Sequence, residues 1–295
     1  MAEELADPVF ERSLKRFEAD VMEKVDAELQ SGRLHDEGRV RLNLRKDLEA
    51  VFVNNLEFHD QMKLINYCGK QLLQAGEYVL SRVCFQKIND ALTDINATSN
   101  LDVFRISIEA RQGIITCDHV DITQSPGNFS IAPMRISRLL GCLSSTREIL
   151  DDILALSVKD QEQFAWLVLN ACKMIHEIGH PLLGFDCSKY VYETFIFATL
   201  CMDAVINLCT TRHLKFKMKI CSAAFSSLVT HGSTEEVYSL LQYIKLKVAE
   251  LREREELDPP LQNKINEELM RAESDLAVMT VVSEFWQNPD SLVLE

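Results

Sequence analysis

The chain has 295 residues, 47% of them hydrophobic and 26% charged, which supplies a core for one extended domain or two compact ones. Its 45 acidic residues against 31 basic give a net charge of −14. Phosphate binding needs concentrated positive charge, so nucleic acid or an anionic membrane is not expected as the main partner. Only 10 Gly and 7 Pro occur, too few for the many turns of an all-β protein, and helices are expected instead.

The first residues are charged and amphipathic, without the apolar core of a secretory leader. No uninterrupted apolar run reaches the roughly 18 residues of a membrane span. The nine cysteines form no C-x-x-C pair, and Cys68, Cys172, Cys201 and Cys221 lie inside apolar helical runs. They are expected to be buried free thiols in a reducing, cytoplasmic compartment, so the sequons at Asn96 and Asn128 carry no glycosylation meaning.

In chain order, residues 8–31 carry Val9, Phe10, Leu14, Phe17, Val21, Val25 and Leu29 at spacings of three and four, which predicts an amphipathic helix. A second charged helix is expected over 37–57. Residues 59–92 predict two helices meeting at Gly76, the first carrying Met62, Leu64, Ile65, Cys68 and Leu72, the second Tyr78, Val79, Val83, Cys84, Ile88 and Leu92. The β-branched runs of 96–132, split by Gly113, predict a loop insertion with a short hairpin. Helices are then expected over 134–157, 159–179, 186–211, 213–232 and 233–257. Asp186 or Ser188 is the candidate N-cap of the third of these, and Ser233 with Glu236 makes a capping box for the fifth. Pro259 and Pro260 break the chain before a last helix ending near 286.

The segments around Gly76, residues 176–184 and Gly232 each read as an apolar helix, a Gly-bearing turn and an aromatic-rich helix. The expected fold is therefore all-α, an array of antiparallel helical hairpins in the manner of a degenerate tetratricopeptide-like solenoid. Its expected divisions are a charged helical segment 1–58, an array 59–258 containing the 96–132 loop, and a C-terminal helix and tail 259–295.

One motif resembles chemistry. His176, Glu177 and His180 spell H-E-x-x-H, in which two imidazoles one helical turn apart bind zinc and the glutamate acts as general base. A catalytic zinc also needs a third protein ligand. Leu183 and Asp186 occupy the positions where the metzincin extension has Gly and His, which leaves a distant residue such as Glu193. Gly179 and Pro181 are expected to end the helix and put His180 in a turn, a geometry unsuited to a metal pair. No catalytic, cofactor or metal residue is therefore expected. Arg212, Lys215, Lys217 and Lys219 form a basic stretch read as helix surface, with contact to an acidic partner or tubulin tail as the alternative. Trp166 and Trp286 fall in apolar runs and are expected in the core or at an interface.

The runs RLLGCLSSTREILDDIL, EQFAWLVLNACKMIHEIG and KYVYETFIFATLCMDAVINLCTTRHLKFKMKICSAAFSSLV, with NYCGKQLLQAGEYVLSRVCFQ earlier, resemble the N-terminal region of the cilia- and flagella-associated protein 54 family. Members of that family are very large scaffolds of the axonemal central-pair apparatus. The resemblance implies a non-enzymatic structural protein of the motile cilium, supporting cilium and sperm flagellum assembly and motility. Its implied partners are other axonemal or central-apparatus proteins, with microtubule association, and its implied place is the axoneme. This chain departs from the family in being far shorter. Two other readings stay open from the residues alone: a cytoplasmic helical-repeat adaptor, and a zinc hydrolase using His176, Glu177 and His180.

Overall fold

A computed structural model describes residues 58–92, 100–124, 133–184, 187–257 and 262–287. The helices expected over 8–31 and 37–57, both sequons and the Pro259–Pro260 break lie outside those residues. Among the described residues the fold is all-α, with ten α-helices and no strand. Contacts divide the chain into two compact units, Met1–Asp121 and Ile122–Glu295.

The first unit contains α1 (Phe58–Gln74), α2 (Tyr78–Leu92) and all but the last residues of α3 (Leu101–Gln124). Gly76 joins α1 to α2 with φ of +81°, a conformation that costs glycine least. The Glu77 N–H donates to Leu72 O (2.9 Å) and the Gly76 N–H to Leu73 O (3.2 Å), the paired bonds of a Schellman stop. The core gathers Ile65, Cys68 and Leu72 of α1, Cys84, Phe85 and Ile88 of α2, and Ile106 and Ala110 of α3. Val79, expected inside, is exposed, and Leu80 and Phe85 take the buried positions.

The loop insertion expected over 96–132 is corrected by α3, which runs as 24 continuous helical residues through its centre. Packing overrides the local β preference: Ile106, Ile108, Ile115 and Ile122 are all buried. Asn100 starts the helix, its Oδ1 accepting from the N–H groups of Asp102 (3.0 Å) and Val103 (3.3 Å). Gly113 does not interrupt it, because the Phe85 ring occupies the space where a side chain would begin. Polar ties complete the unit. The buried Glu109 carboxylate accepts from Lys70 Nζ (2.6 Å) and from Asn66 Nδ2, and Arg82 pairs with Asp118 (2.8 Å).

The second unit contains α4 (Pro133–Leu154), α5 (Val158–Gln163), α6 (Ala165–Leu183), α7 (Ser188–Ala204), a 3₁₀ turn (Ile206–Leu208), α8 (Thr211–His231), α9 (Thr234–Leu257) and α10 (Gln262–Gln287). The single helix expected over 159–179 is two, meeting at Phe164. Helix α7 starts without a side-chain cap; Ser188 is its first residue and is buried, so it is not the N-cap expected, and Asp186 lies outside the described residues. Nor does α7 run to 211. The Glu162 carboxylate takes the N–H groups of Ile206 (2.5 Å) and Asn207 (3.0 Å), and these hold the 3₁₀ turn that ends it. Between α8 and α9 the expected capping box is present: Ser233 Oγ accepts from the Glu236 N–H (3.2 Å), and Glu236 Oε2 from the Ser233 N–H (2.8 Å). Helix α7 packs on both α6 and α8, and α8 in turn on α9 and α10.

Candidate functional site

The H-E-x-x-H residues sit on α6, and one expectation about them is corrected. The helix does not end at Gly179 but runs through Pro181 to Leu183, with Gly184 as its cap. Pro181 falls in the last turn, where a missing N–H removes a single helical bond. Leu182, wholly buried, holds that turn against the core. Gly179 is a packing position: a Cβ there would lie 2.8 Å from Cζ of Phe195 on α7.

His180 is consequently helical, and its ring centroid lies 5.3 Å from that of His176. The two imidazoles share a face, as a metal pair would require. Among the described residues, no group of three or more His, Cys, Asp or Glu is placed to hold a metal. Glu177 is exposed, and so is Glu193, whose carboxylate accepts from the Tyr192 hydroxyl (3.4 Å). The structure thus brings the two histidines together, with no third ligand beside them among the described residues.

What surrounds the pair is positive. Phe216 of α8 meets His176 edge-on at 6.0 Å. Burial, with the His180 and Lys219 charges, holds the His176 pKa below its ordinary value. Burial, with Arg212 and Lys173, does the same for His213. These pairings put Lys173 beside Arg212 and His213, and His176 beside Phe216 and Lys219, so α6 and α8 lie side by side and run in the same direction.

Lys217 does not share that surface, contrary to its reading as helix-surface charge. It is buried and ion-paired with Asp203, whose second carboxylate oxygen accepts from the Tyr243 hydroxyl. The Cys209 thiol donates to Asp203 O at 3.2 Å. Asp203 thus ties α7, α8 and α9 at one point, beside a cavity of about 120 Å³ lined also by Lys247 and Glu250. Burial and the Asp203 charge raise the Cys209 pKa, which keeps its thiol protonated and weakly nucleophilic. All nine cysteines are free and eight are buried; burial pushes Cys84 and Cys201 up to about 12 and Cys221 to about 11. They are packing residues, as the sequence suggested.

Two apolar surfaces stand out among the described residues. A groove of about 540 Å³ runs between α7 and α9, with Ile196, Leu200 and Leu240 on its walls and Glu235 and Glu236 at its edge. Helix α10 is apolar on opposite sides: Leu269, Ala272, Leu276 and Met279 are buried, whereas Met270, Val278, Val281 and Phe285 are exposed. Trp166 and Trp286 are also exposed, which excludes both from the core.

The fold and these surfaces define an all-α protein of successively packed helices. No described helix is long and apolar enough to cross a membrane. The model of the cilia- and flagella-associated protein 54 family, N-terminal region, matches residues 66–286. That range reaches from the middle of α1 to the end of α10, and the chain belongs to this family: it is a cilia- and flagella-associated protein. No curated protein sequence matches it.

Proposed function

We propose that this protein is a non-enzymatic scaffold of the motile cilium axoneme, of the central-pair-apparatus type, supporting cilium and flagellum assembly and motility through contacts with other axonemal proteins. The family match over residues 66–286 carries the reading. The surfaces favour it too. A scaffold works through exposed faces, and exposed apolar area on folded helices marks protein contacts. The outer side of α10 and the groove between α7 and α9 offer such area.

The test is localisation of the tagged full chain at its native locus in multiciliated cells. Signal along axonemes, with the central-pair projections altered in electron micrographs when the gene is disrupted, supports the proposal. Exclusion from axonemes refutes it and favours a cytoplasmic helical adaptor.

A further inference from the structure

Ion pairs neutralise several cations of this acidic chain. Lys70, Arg82, Arg105, Lys217, Lys247, Arg252 and Arg271 each have a carboxylate within 4 Å. Exposed cations outside these pairs also occur singly, as at Lys87 and Lys245, but on one surface they cluster. On α6 and α8, Lys173, Arg212, Lys215 and Lys219 are all exposed, and none is within ion-pair distance of a described carboxylate. They frame His176, His180 and His213, with Glu177 as the acidic residue on that side of α6.

We propose that this face, formed by the parallel helices α6 and α8, binds a short acidic peptide segment of another protein. It goes beyond the ciliary assignment and does not depend on it. Charge complementarity is the first argument. Unpaired cations on a chain of net charge −14 concentrate a positive potential that the rest of the molecule opposes. The same cations act, after burial, on the histidines among them: Lys219 disfavours protonation of His176, and Arg212 with Lys173 that of His213.

Size is the second argument. From Lys173 to His180 the helix advances about 10 Å, roughly one Debye length at physiological salt. A segment of a few carboxylates fits inside that span. A nucleic acid duplex overruns it, on a chain whose net charge of −14 repels phosphate. Half-buried Phe216 between the charges gives such a peptide an apolar contact as well, with the imidazoles of His176 and His180 as donors.

Fluorescence anisotropy with the full chain tests this, using a labelled glutamate-rich peptide, its glutamine counterpart and a DNA duplex. The expected result is binding of the glutamate peptide that weakens steeply with salt and that the glutamine peptide lacks. The double charge reversal Lys173→Glu/Lys219→Glu weakens it about tenfold or more. The control reversal Lys87→Glu/Lys245→Glu, which changes net charge equally at exposed sites elsewhere, leaves it within about twofold. Circular dichroism verifies folding; if the reversal unfolds the chain, Lys173→Gln/Lys219→Gln replaces it, with a smaller loss in the same order. Four results overturn the proposal: no preference for the glutamate peptide at low salt, equal losses in patch and control variants, tighter binding of the duplex, or full displacement by inorganic phosphate.

Discussion

Gly113 of α3 leaves open the space that the ring of Phe85 on α2 fills, and on the ring's other side a Cβ at Gly69 of α1 would lie 2.7 Å from Cε1. Phe85 is 1% exposed. Replacing Gly113 with Ala improves local helix propensity by about 1 kcal/mol but forces a carbon into the ring, and overpacking typically costs about 1–3 kcal/mol. We expect net destabilisation of the first unit in urea unfolding followed by circular dichroism. Adding Phe85→Leu should recover part of the loss; a double variant no better than the sum of its parts would refute the steric account.

Asp203 faces Lys217, which is 8% exposed, so Asp203→Ala leaves a buried ammonium without its counter-ion. Such losses run to about 3–5 kcal/mol. The apolar pair Asp203→Leu/Lys217→Met should be milder than Asp203→Ala alone in the same unfolding assay, because no uncompensated charge remains.

At Gly76 nothing lies within 4 Å of an added Cβ, so the cost of Gly76→Ala is confined to its backbone conformation. We expect about 1 kcal/mol, and less for Gly76→Asn, which tolerates positive φ. Equal losses would show that more than the dihedral is at stake.

His176 and His213 both have folded-state pKa values below the ordinary one of about 6.5. Between the folded and unfolded values the unfolded chain binds more protons, so stability rises with pH there. Their contribution is complete above about 6.5 and is lost as pH falls from there through the folded values. Thermal unfolding at pH 7.5 and 5.5 should show a lower midpoint at 5.5, and His176→Gln/His213→Gln should reduce that difference.

Zinc is not expected to bind stoichiometrically through His176 and His180, which share a face without a third described ligand. Metal analysis of the purified protein checks this; bound zinc that His176→Ala removes would contradict it.

The helices were legible where one face repeats at three and four residues and a local signal marks the end. Gly76 and the Ser233–Glu236 box are such signals, and both turns form as expected. Gly113 and Gly179 misled because a helix interrupted by glycine and a helix packed tightly at glycine look the same in one dimension. What separates them is an aromatic ring on another helix, Phe85 in one case and Phe195 in the other. Asn100 was a readable start signal for α3, hidden by the isoleucines that follow it. Lys217 looks like its exposed neighbours Lys215 and Lys219. Only the partner aspartate, 14 residues earlier on α7, distinguishes it.

The Phe195–Gly179 contact also governs how α6 and α7 deform. A ring seated against a glycine has larger side chains one turn away on the same face in either direction, Ile175 and Leu182, both buried. Sliding one helix along the other therefore drives the ring towards one of them and meets steric resistance within a turn, about 5.4 Å. The ring and the glycine thus work as a key in a slot, fixing the register of the two helices at a single contact.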